Sequence, residues 1–362
     1  MSFTSRLLKW YSENKRDLPW RESADPYKIW LSEIILQQTR IVQGLGYYHR
    51  FLDKYPDIQA LANASEDDVL SVWQGLGYYS RARNLHHTAK EIVKQYNGKF
   101  PEDYKDLLKL KGIGPYTAAA IASIAFNLPH ATVDGNVTRV LARYFGITDP
   151  VNETHIKNQI NSAANELMDL QRPGMFNQAM MDLGATICKP GKPLCNFCPV
   201  NKDCIARISG IEESIPVKTS KIVQRERFFH FFLLHTQANH ERMFLIEKRE
   251  QNDIWKNLHQ LPLIETPDND LAENLLIQHP VLSLLIRDNI PVTPGGYVRH
   301  FEHILTHQRL QAFFYNIHLP SEYYPNFDGT YKWVTFDEFS KLGKPVLISK
   351  YMEVFRDFFE NQ

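Results

Sequence analysis

The stretch richest in chemistry runs from Leu107 to Val140. An apolar helical run ends at Leu110 and a tight Gly112-Ile113-Gly114 turn follows. Pro115 then stands where the first residue of a new helix belongs, a position whose missing N–H costs nothing. Tyr116 to Phe126 continue that helix, with alanines that permit close packing. Gly112 and Gly114 let consecutive backbone N–H groups face outward at a helix N-terminus, a site suited to one DNA phosphate. Asp134 follows inside Val133-Asp134-Gly135-Asn136-Val137. Further on, Cys188, Cys195, Cys198 and Cys204 fall in one short window and account for all 4 cysteines of the chain. In a reducing compartment such a cluster argues for a metal site over disulfides. Four thiolates at this spacing suit tetrahedral zinc or a [4Fe–4S] cluster, and spacing alone does not choose between them.

These groups must be carried by elements. Residues 1 to about 220 read as mostly helical. Leu7, Leu8, Trp10 and Tyr11 line one face of a first helix, Leu18-Pro19-Trp20-Arg21 breaks the chain, and Trp30 to Gln43 reads as one helix containing Glu33. Glu33 is by itself an ordinary solvated side chain. Gly75-Leu76-Gly77-Tyr78-Tyr79-Ser80-Arg81 is a glycine-aromatic turn opening a basic helix, and Phe176 to Cys188 is a last helix leading into the cysteines. After Cys204 the pattern changes. Strand-length apolar runs occupy Phe228–His235, Met243–Lys248, Tyr297–Ile304, Leu310–His318 and Tyr331–Thr335, with helical segments at Asp337–Leu342 and Ser349–Phe359. The chain therefore divides into an all-α domain over residues 1–210, a linker over 211–227 and an α+β domain over 228–362.

Composition narrows the class. A chain of 362 residues holds two or three domains. An apolar fraction of 43% and a charged fraction of 23% are ordinary for a globular chain. The net charge is zero, so a nucleic-acid binder of this composition must concentrate its basic residues on one face. No apolar run approaches the ~18 residues of a membrane span, and the N-terminus reads as an amphipathic helix, not a signal peptide. The expectation is an intracellular, cytoplasmic protein with no membrane partner.

The hairpin with its downstream aspartate resembles the helix-hairpin-helix DNA glycosylase superfamily. The cysteine spacing, placed after the last helix, resembles the iron–sulfur loop of its endonuclease III and adenine glycosylase branches, and so implies a [4Fe–4S] cluster held by Cys188, Cys195, Cys198 and Cys204. That loop would present Lys189, Lys192 and Lys202 to phosphates. Leu18-Pro19-Trp20-Arg21, the run from Trp30 to Thr39, Gly75 to Tyr79, Gly112 to Thr117 and Val133 to Val137 together resemble the adenine DNA glycosylases of mismatch-repair type. These enzymes remove adenine opposite 8-oxoguanine.

The resemblance implies roles residue by residue. Glu33 is the acid that protonates adenine, and Asp134 stabilises the cationic sugar. Tyr116 and Asn136 orient Asp134 and the water. Trp20, Arg21 and Gln178 line the base pocket. Gln38 and Tyr78 fill or wedge the vacated stack, with Thr39 beside them, and Gly112 and Gly114 hold the backbone. The chemistry explains the two carboxylates: adenine leaves deoxyribose only when protonated, and its departure leaves an oxocarbenium-like sugar that an anion must face. Bifunctional relatives carry a lysine where this chain has Tyr116, and a phenol cannot form the Schiff base needed for strand cleavage. The implied enzyme is a monofunctional glycosylase acting as a monomer on double-stranded DNA with adenine opposite 8-oxoguanine or guanine. The alternatives are a bifunctional endonuclease III-like pyrimidine-lesion lyase and a non-catalytic iron–sulfur DNA-binding protein. Residues from about 228 resemble the family's Nudix-like C-terminal domain. No glutamate-rich Nudix helix appears between Gln251 and His279, so the domain is expected to read and not hydrolyse, through Leu305-Thr306-His307 as the 8-oxoguanine contact.

Overall fold

The computed structural model describes residues 2–217, 224–238, 240–292, 299–327 and 329–360. It resolves into two compact units, Met1–Asn63 with Asn84–Ser220, and Ala64–Arg83 with Lys221–Gln362. The linker expected over 211–227 falls partly outside the described residues, and described strand structure already begins at Arg225.

The first unit is helical. Its elements are α1 (Phe3–Asn14), α2 (Pro26–Leu36), α3 (Ile41–Lys54) and α4 (Ile58–Asn63). After α5 (Glu66–Trp73), which belongs to the second unit, come α6 (Ser80–Tyr96), α7 (Tyr104–Lys109), α8 (Pro115–Ala125), α9 (Gly135–Phe145), α10 (Thr154–Glu166), α11 (Pro173–Asp182) and α12 (Ile205–Ile208). Helix α1 starts where the Ser2 side chain accepts from the Ser5 N–H, and it buries Phe3, Leu7, Leu8 and Tyr11. Those side chains join Val140 and Leu141 of α9 and Phe176 and Met180 of α11 in one core. Each such burial stabilises the fold by roughly 1.5–3 kcal/mol. Helix α2 has almost no polar face: Tyr27, Ile29, Trp30, Leu31, Ile34 and Ile35 are all buried. It therefore needs partners on more than one side, and finds them in α3 and α8. The run Ala118 to Ala122 on α8 is fully buried and lets the helices approach closely.

The single helix expected from Trp30 to Gln43 is two helices. Helix α2 ends at Leu36, the chain turns through Gln38 at φ 56°, and α3 begins at Ile41. No proline or glycine marks the break. Packing imposes it, because α3 folds back onto α2 so closely that a Cβ at Gly44 would lie 2.7 Å from Leu36 Cδ2.

The second unit is built on a mixed sheet. Its strands are β1 (Arg225–Ala238), β2 (Glu241–Lys248), β3 (His259–Gln260), β4 (Leu263–Thr266), β5 (Arg299–Ile304), β6 (Gln308–His318) and β7 (Tyr331–Val334). The order is β3-β2-β1-β6-β5, with β4 on β1 and β7 on β2. β1 and β6 run parallel, and the other pairs are antiparallel. From Phe231 to Thr236 β1 is buried without interruption, as a central strand covered on both faces must be. One face carries α13 (Glu273–Gln278) and α14 (Pro280–Arg287), whose Leu276, Val281, Leu282 and Leu285 meet Phe232, Leu234 and Leu245. The other carries α15 (Phe336–Ser340), α16 (Val346–Glu353) and α17 (Arg356–Glu360), through ring contacts such as Phe314 on Tyr351 and Phe244 on Phe339. The expected helix over Ser349–Phe359 is thus split into α16 and α17. Residues 297 and 298 of the expected strand Tyr297–Ile304 lie outside the described residues, and the rest of it is β5. Helix α5 packs into this unit, with Leu70 and Trp73 buried and Leu70 Cβ 2.7 Å from where a Cβ on Gly343 would stand. Among the described residues, no helix is long and apolar enough to cross a membrane.

Candidate active site

In the first unit a cavity of about 1000 Å³ is lined by Trp20, Arg21, Glu33, Gln38, Thr39, Tyr116, Asp134, Asn136 and Gln178. These come from distant parts of the chain. The short 3-10 turn Pro19–Arg21 supplies Trp20 and Arg21, and α2 carries Glu33. Helix α8 places Tyr116 one residue past Pro115, α11 carries Gln178, and the start of α9 holds Asp134 and Asn136.

Glu33 is half-buried on a helix that is otherwise apolar. Crowding by protein pushes its carboxyl up to about 7. A hydrogen bond from Tyr116 opposes that shift, the Asp134 charge adds to it, and Arg21 opposes it. The Tyr116 hydroxyl also lies 3.1 Å from Met181 Sδ, so its one proton serves Glu33 or the sulfur in turn. Burial and the two neighbouring carboxylates hold the Tyr116 phenol well above its ordinary range, so it stays a neutral donor. Asp134 is the N-cap of α9: its Oδ1 accepts from the Val137 N–H at 2.8 Å, and its Oδ2 accepts from Asn136 Nδ2 at 2.6 Å. Asn136 is fixed in turn, because its Oδ1 accepts from Arg139 Nη2 at 2.9 Å. Arg139 also donates to Cys188 O at 2.7 Å and Gly184 O at 2.8 Å. The site's two carboxylates thus differ by environment. One is crowded into keeping its proton; the other accepts two N–H bonds at a helix N-terminus, where negative charge is favoured.

Gly184 permits this relay. A Cβ there would stand 2.6 Å from Asn136 Cβ and 2.9 Å from Asn136 O, so no larger residue fits. It lies in the π-helical turn Leu183–Ile187, the element that delivers the chain to Cys188. Four residues escaped the sequence reading. Tyr11 donates from its hydroxyl to Gln178 Oε1 at 2.8 Å and thereby turns the Gln178 amide. Arg16 and Asp182 hold Arg21, and Arg139 holds Asn136. The i, i+3 spacing of Asn136 and Arg139 and the i, i+4 spacing of Gln178 and Asp182 were readable signals of shared helix faces.

The hairpin forms as expected. Gly112 adopts φ 79°, open to glycine and rare for others, and Gly114 is the N-cap of α8 with no side chain capping the first turn. Gly114 is exposed, and within the turn the Ile113 N–H donates back to Leu110 O at 3.1 Å.

The four cysteines line one cavity, and none is in a disulfide. Burial pushes the Cys198 thiol up to about 12, and Cys188, Cys195 and Cys204 add to that shift. Four such thiolates would repel one another unless a cation held them together, so the donor set fits a metal group. Arg143 braces the loop, donating to Cys188 Sγ at 3.3 Å, Lys189 O at 2.8 Å and Ile215 O at 2.9 Å. Lys189, Lys192 and Lys202 are exposed.

In the second unit, the expected reader and wedge lie together. Leu305, Thr306 and His307 form the tip of the β5–β6 hairpin, closed by Leu305 N–H donating to Gln308 O at 2.8 Å, with Thr306 and His307 exposed. They line a cavity of about 430 Å³ with Tyr78, Tyr79 and Trp255. The Tyr78 and Thr306 hydroxyls are hydrogen-bonded to each other. Tyr78 sits at φ 48° between Gly77 at φ 71° and a helix start, and Trp73 Nε1 donates to Gly77 O at 3.0 Å to hold that loop. Arg227 braces the walls, donating to Asp253 and to Gln308 Oε1 at 3.0 Å.

Comparison with known proteins agrees with this architecture. The HhH-GPD superfamily of base excision DNA repair proteins matches residues 31–166, and the NUDIX domain family matches 231–354. The adenine DNA glycosylase of Buchnera aphidicola (subspecies Schizaphis graminum) is 33% identical over 359 residues, 98% of this chain and 99% of that protein. The adenine DNA glycosylase of Mus musculus is 45% identical over 214 residues, 57% of this chain and 42% of the mouse protein. A solved thermostable thymine-DNA glycosylase superposes with a TM-score of 0.53 at 32% identity, over 57% of this chain and 95% of its own. With both units matched and one relative aligned along nearly its full length, the chain belongs to the adenine DNA glycosylase family of base-excision repair enzymes.

Proposed function

We propose that this enzyme hydrolyses the N-glycosidic bond of adenine paired with 8-oxoguanine, or with guanine, in duplex DNA, without cutting the strand. One observation carries the reading: Glu33, pushed up to about 7, shares a cavity with Asp134 held at a helix N-terminus. Glu33 gives its proton to the departing base. Asp134, aimed by Asn136 and Arg139, faces the cationic sugar. Trp20, Arg21 and Gln178 hold the extruded adenine, and Tyr116 stands where a lyase would need an amine. Gln38 and Tyr78 are each assigned to the stack disturbed by base extrusion, which costs a few kcal/mol of unstacking, and Thr39 to DNA contact. Gly112 and Gly114 hold a phosphate, and Leu305, Thr306 and His307 read the opposite base. Residues 1–210 are assigned to catalysis, 211–227 to a linker and 228–362 to reading, with Tyr78 contributed from the segment that packs with the reading unit.

Cys188, Cys195, Cys198 and Cys204 are assigned to a [4Fe–4S] cluster. The four line one cavity and none is in a disulfide, which leaves all four sulfurs available to one metal group. When bound, the cluster supplies structural cross-linking of a loop whose lysines contact phosphates. The enzyme acts as an intracellular monomer on double-stranded DNA. A panel of duplexes with adenine opposite 8-oxoguanine, guanine and thymine tests the specificity. Excision should fall in that order, and equal rates for 8-oxoguanine and thymine partners would refute it.

A further inference from the structure

Asp182, the last residue of α11, is fully buried and accepts from two arginines. Arg21 grips it in bidentate fashion, Nη1 to Oδ2 at 2.6 Å and Nη2 to Oδ1 at 2.7 Å. Arg16 donates through Nε to Oδ1 at 2.7 Å and through its backbone N–H to Oδ2 at 3.2 Å. Both arginines line the cavity that contains Glu33. The charged and titratable groups around it are Arg16 and Arg21 from the segment before α2, Arg40 from the turn before α3, Tyr116 from α8, Asp134 and Arg139 from α9, Tyr11 of α1 against Arg21, and Asp182 from α11. Arg21 is the cation that favours the ionised form of Glu33. A proton donor beside an uncompensated guanidinium would lose its proton too early. The Asp182 carboxylate, bonded to the same guanidinium, supplies a negative charge that opposes that field.

We propose that Asp182 is a positioning residue for base excision: it neutralises and orients the Arg21 and Arg16 guanidiniums at the cavity wall, so that Glu33 keeps the proton it must deliver. The inference rests on Glu33 being the acid. Asp182 does not touch the substrate; it acts through Arg21.

The test is the pH dependence of single-turnover adenine release from duplex DNA, with variants whose effects have opposite signs. Asp182→Asn leaves the two guanidiniums uncompensated, and the alkaline fall in rate should move toward acid by about half to one pH unit. Arg16→Gln removes one cation and leaves Arg21 paired, so the same fall should move toward alkali. Because Asp182 is buried, melting curves establish whether Asp182→Asn folds. If it does not, the half-exposed Arg16 variant decides by itself. An unmoved limb in a folded Asp182→Asn, or an acid shift in Arg16→Gln, overturns the proposal. The parent separates the two readings. A parent rate with no alkaline fall refutes Glu33 as the acid, whereas a fall that neither variant moves refutes only the role of Asp182.

Discussion

Replacing Asp134 with asparagine separates the charge of this residue from its structural duty. The side chain caps α9 through Oδ1 on the Val137 N–H at 2.8 Å. Asparagine is as good an N-cap as aspartate, so that bond survives, whereas alanine would forfeit about 1 kcal/mol. The other oxygen accepts from Asn136 Nδ2 at 2.6 Å, and an amide nitrogen in its place would meet a donor with a donor. Asn136 cannot relieve this by flipping its amide, because its Oδ1 is held by Arg139 Nη2 at 2.9 Å. Asp134→Asn should therefore cost stability about 1 kcal/mol from one frustrated bond, a melting shift of roughly 2–4 °C. Excision should suffer far more. Removing a fixed group that faces developing charge costs about 10²–10³ in rate. The loss also lowers the Glu33 carboxyl, since the Asp134 charge helps hold it up. The residual activity should thus fall off at lower pH than in the parent. Single-turnover excision across pH, beside thermal melts of Asp134→Asn and Asp134→Ala, measures all three quantities. An Asp134→Asn enzyme that excises adenine within about threefold of the parent would refute the reasoning, because the reaction would then proceed without the anion.

Four further outcomes follow from the same geometry. The parent rate should decline above about pH 7 as Glu33 ionises, and Tyr116→Phe, which removes a hydrogen bond favouring the carboxylate, should move that decline toward alkali; a pH–rate series reads both. Glu33 is destabilising above its ordinary range: the unfolded carboxyl ionises from pH 4.5 while the folded one waits until about 7, so folding loses up to about 3 kcal/mol across that window. Glu33→Gln should then melt higher than the parent at pH 8 and show no such gain at pH 4. Thr306→Ala combined with His307→Ala should reduce the affinity preference for 8-oxoguanine·adenine over guanine·adenine by about tenfold to a hundredfold in binding titrations, since one good base contact is worth roughly 1–3 kcal/mol. Protein purified without oxygen should carry about four irons per chain, and Cys198→Ser should weaken DNA binding more than it slows excision at saturating DNA; stoichiometric zinc would overturn the cluster assignment.

What was legible in the sequence was whatever short-range rules govern. The Gly-Ile-Gly-Pro hairpin declares its own turn and helix start, and α8 begins at Pro115 as that proline demands. The strands β1, β2 and β6 announce themselves by apolar runs, and the tip at Thr306 and His307 by the polar interruption between β5 and β6. The break at Gln37 to Arg40 was not legible, because its residues carry no stop signal and close packing of Gly44 on Leu36 decides it. Strands β3 and β4 are short, and their pairing is set by partners remote in the chain. In the site, Glu33 by itself reads as a solvated side chain and only the family resemblance marks it as the acid; the crowding that pushes its carboxyl up, with the Asp134 charge adding to it and Tyr116 and Arg21 opposing it, exists only after the helices pack. For Arg139 and Asp182 the helical spacing to Asn136 and Gln178 was the one available signal; Tyr11 and Arg16 had none, because each acts on a side chain that comes near only after the helices pack.

The central claim is that Glu33 protonates adenine opposite 8-oxoguanine and that no enzyme amine attacks the sugar. A single-turnover reaction on that duplex, sampled with and without alkali and in the presence of borohydride, tests it most directly. The parent should release adenine and leave an intact strand that breaks only with alkali. Glu33→Gln should bind the duplex and release almost nothing, and little protein should be trapped on DNA. Strand cleavage without alkali together with efficient trapping, or excision by Glu33→Gln at the parent's rate, would contradict the account.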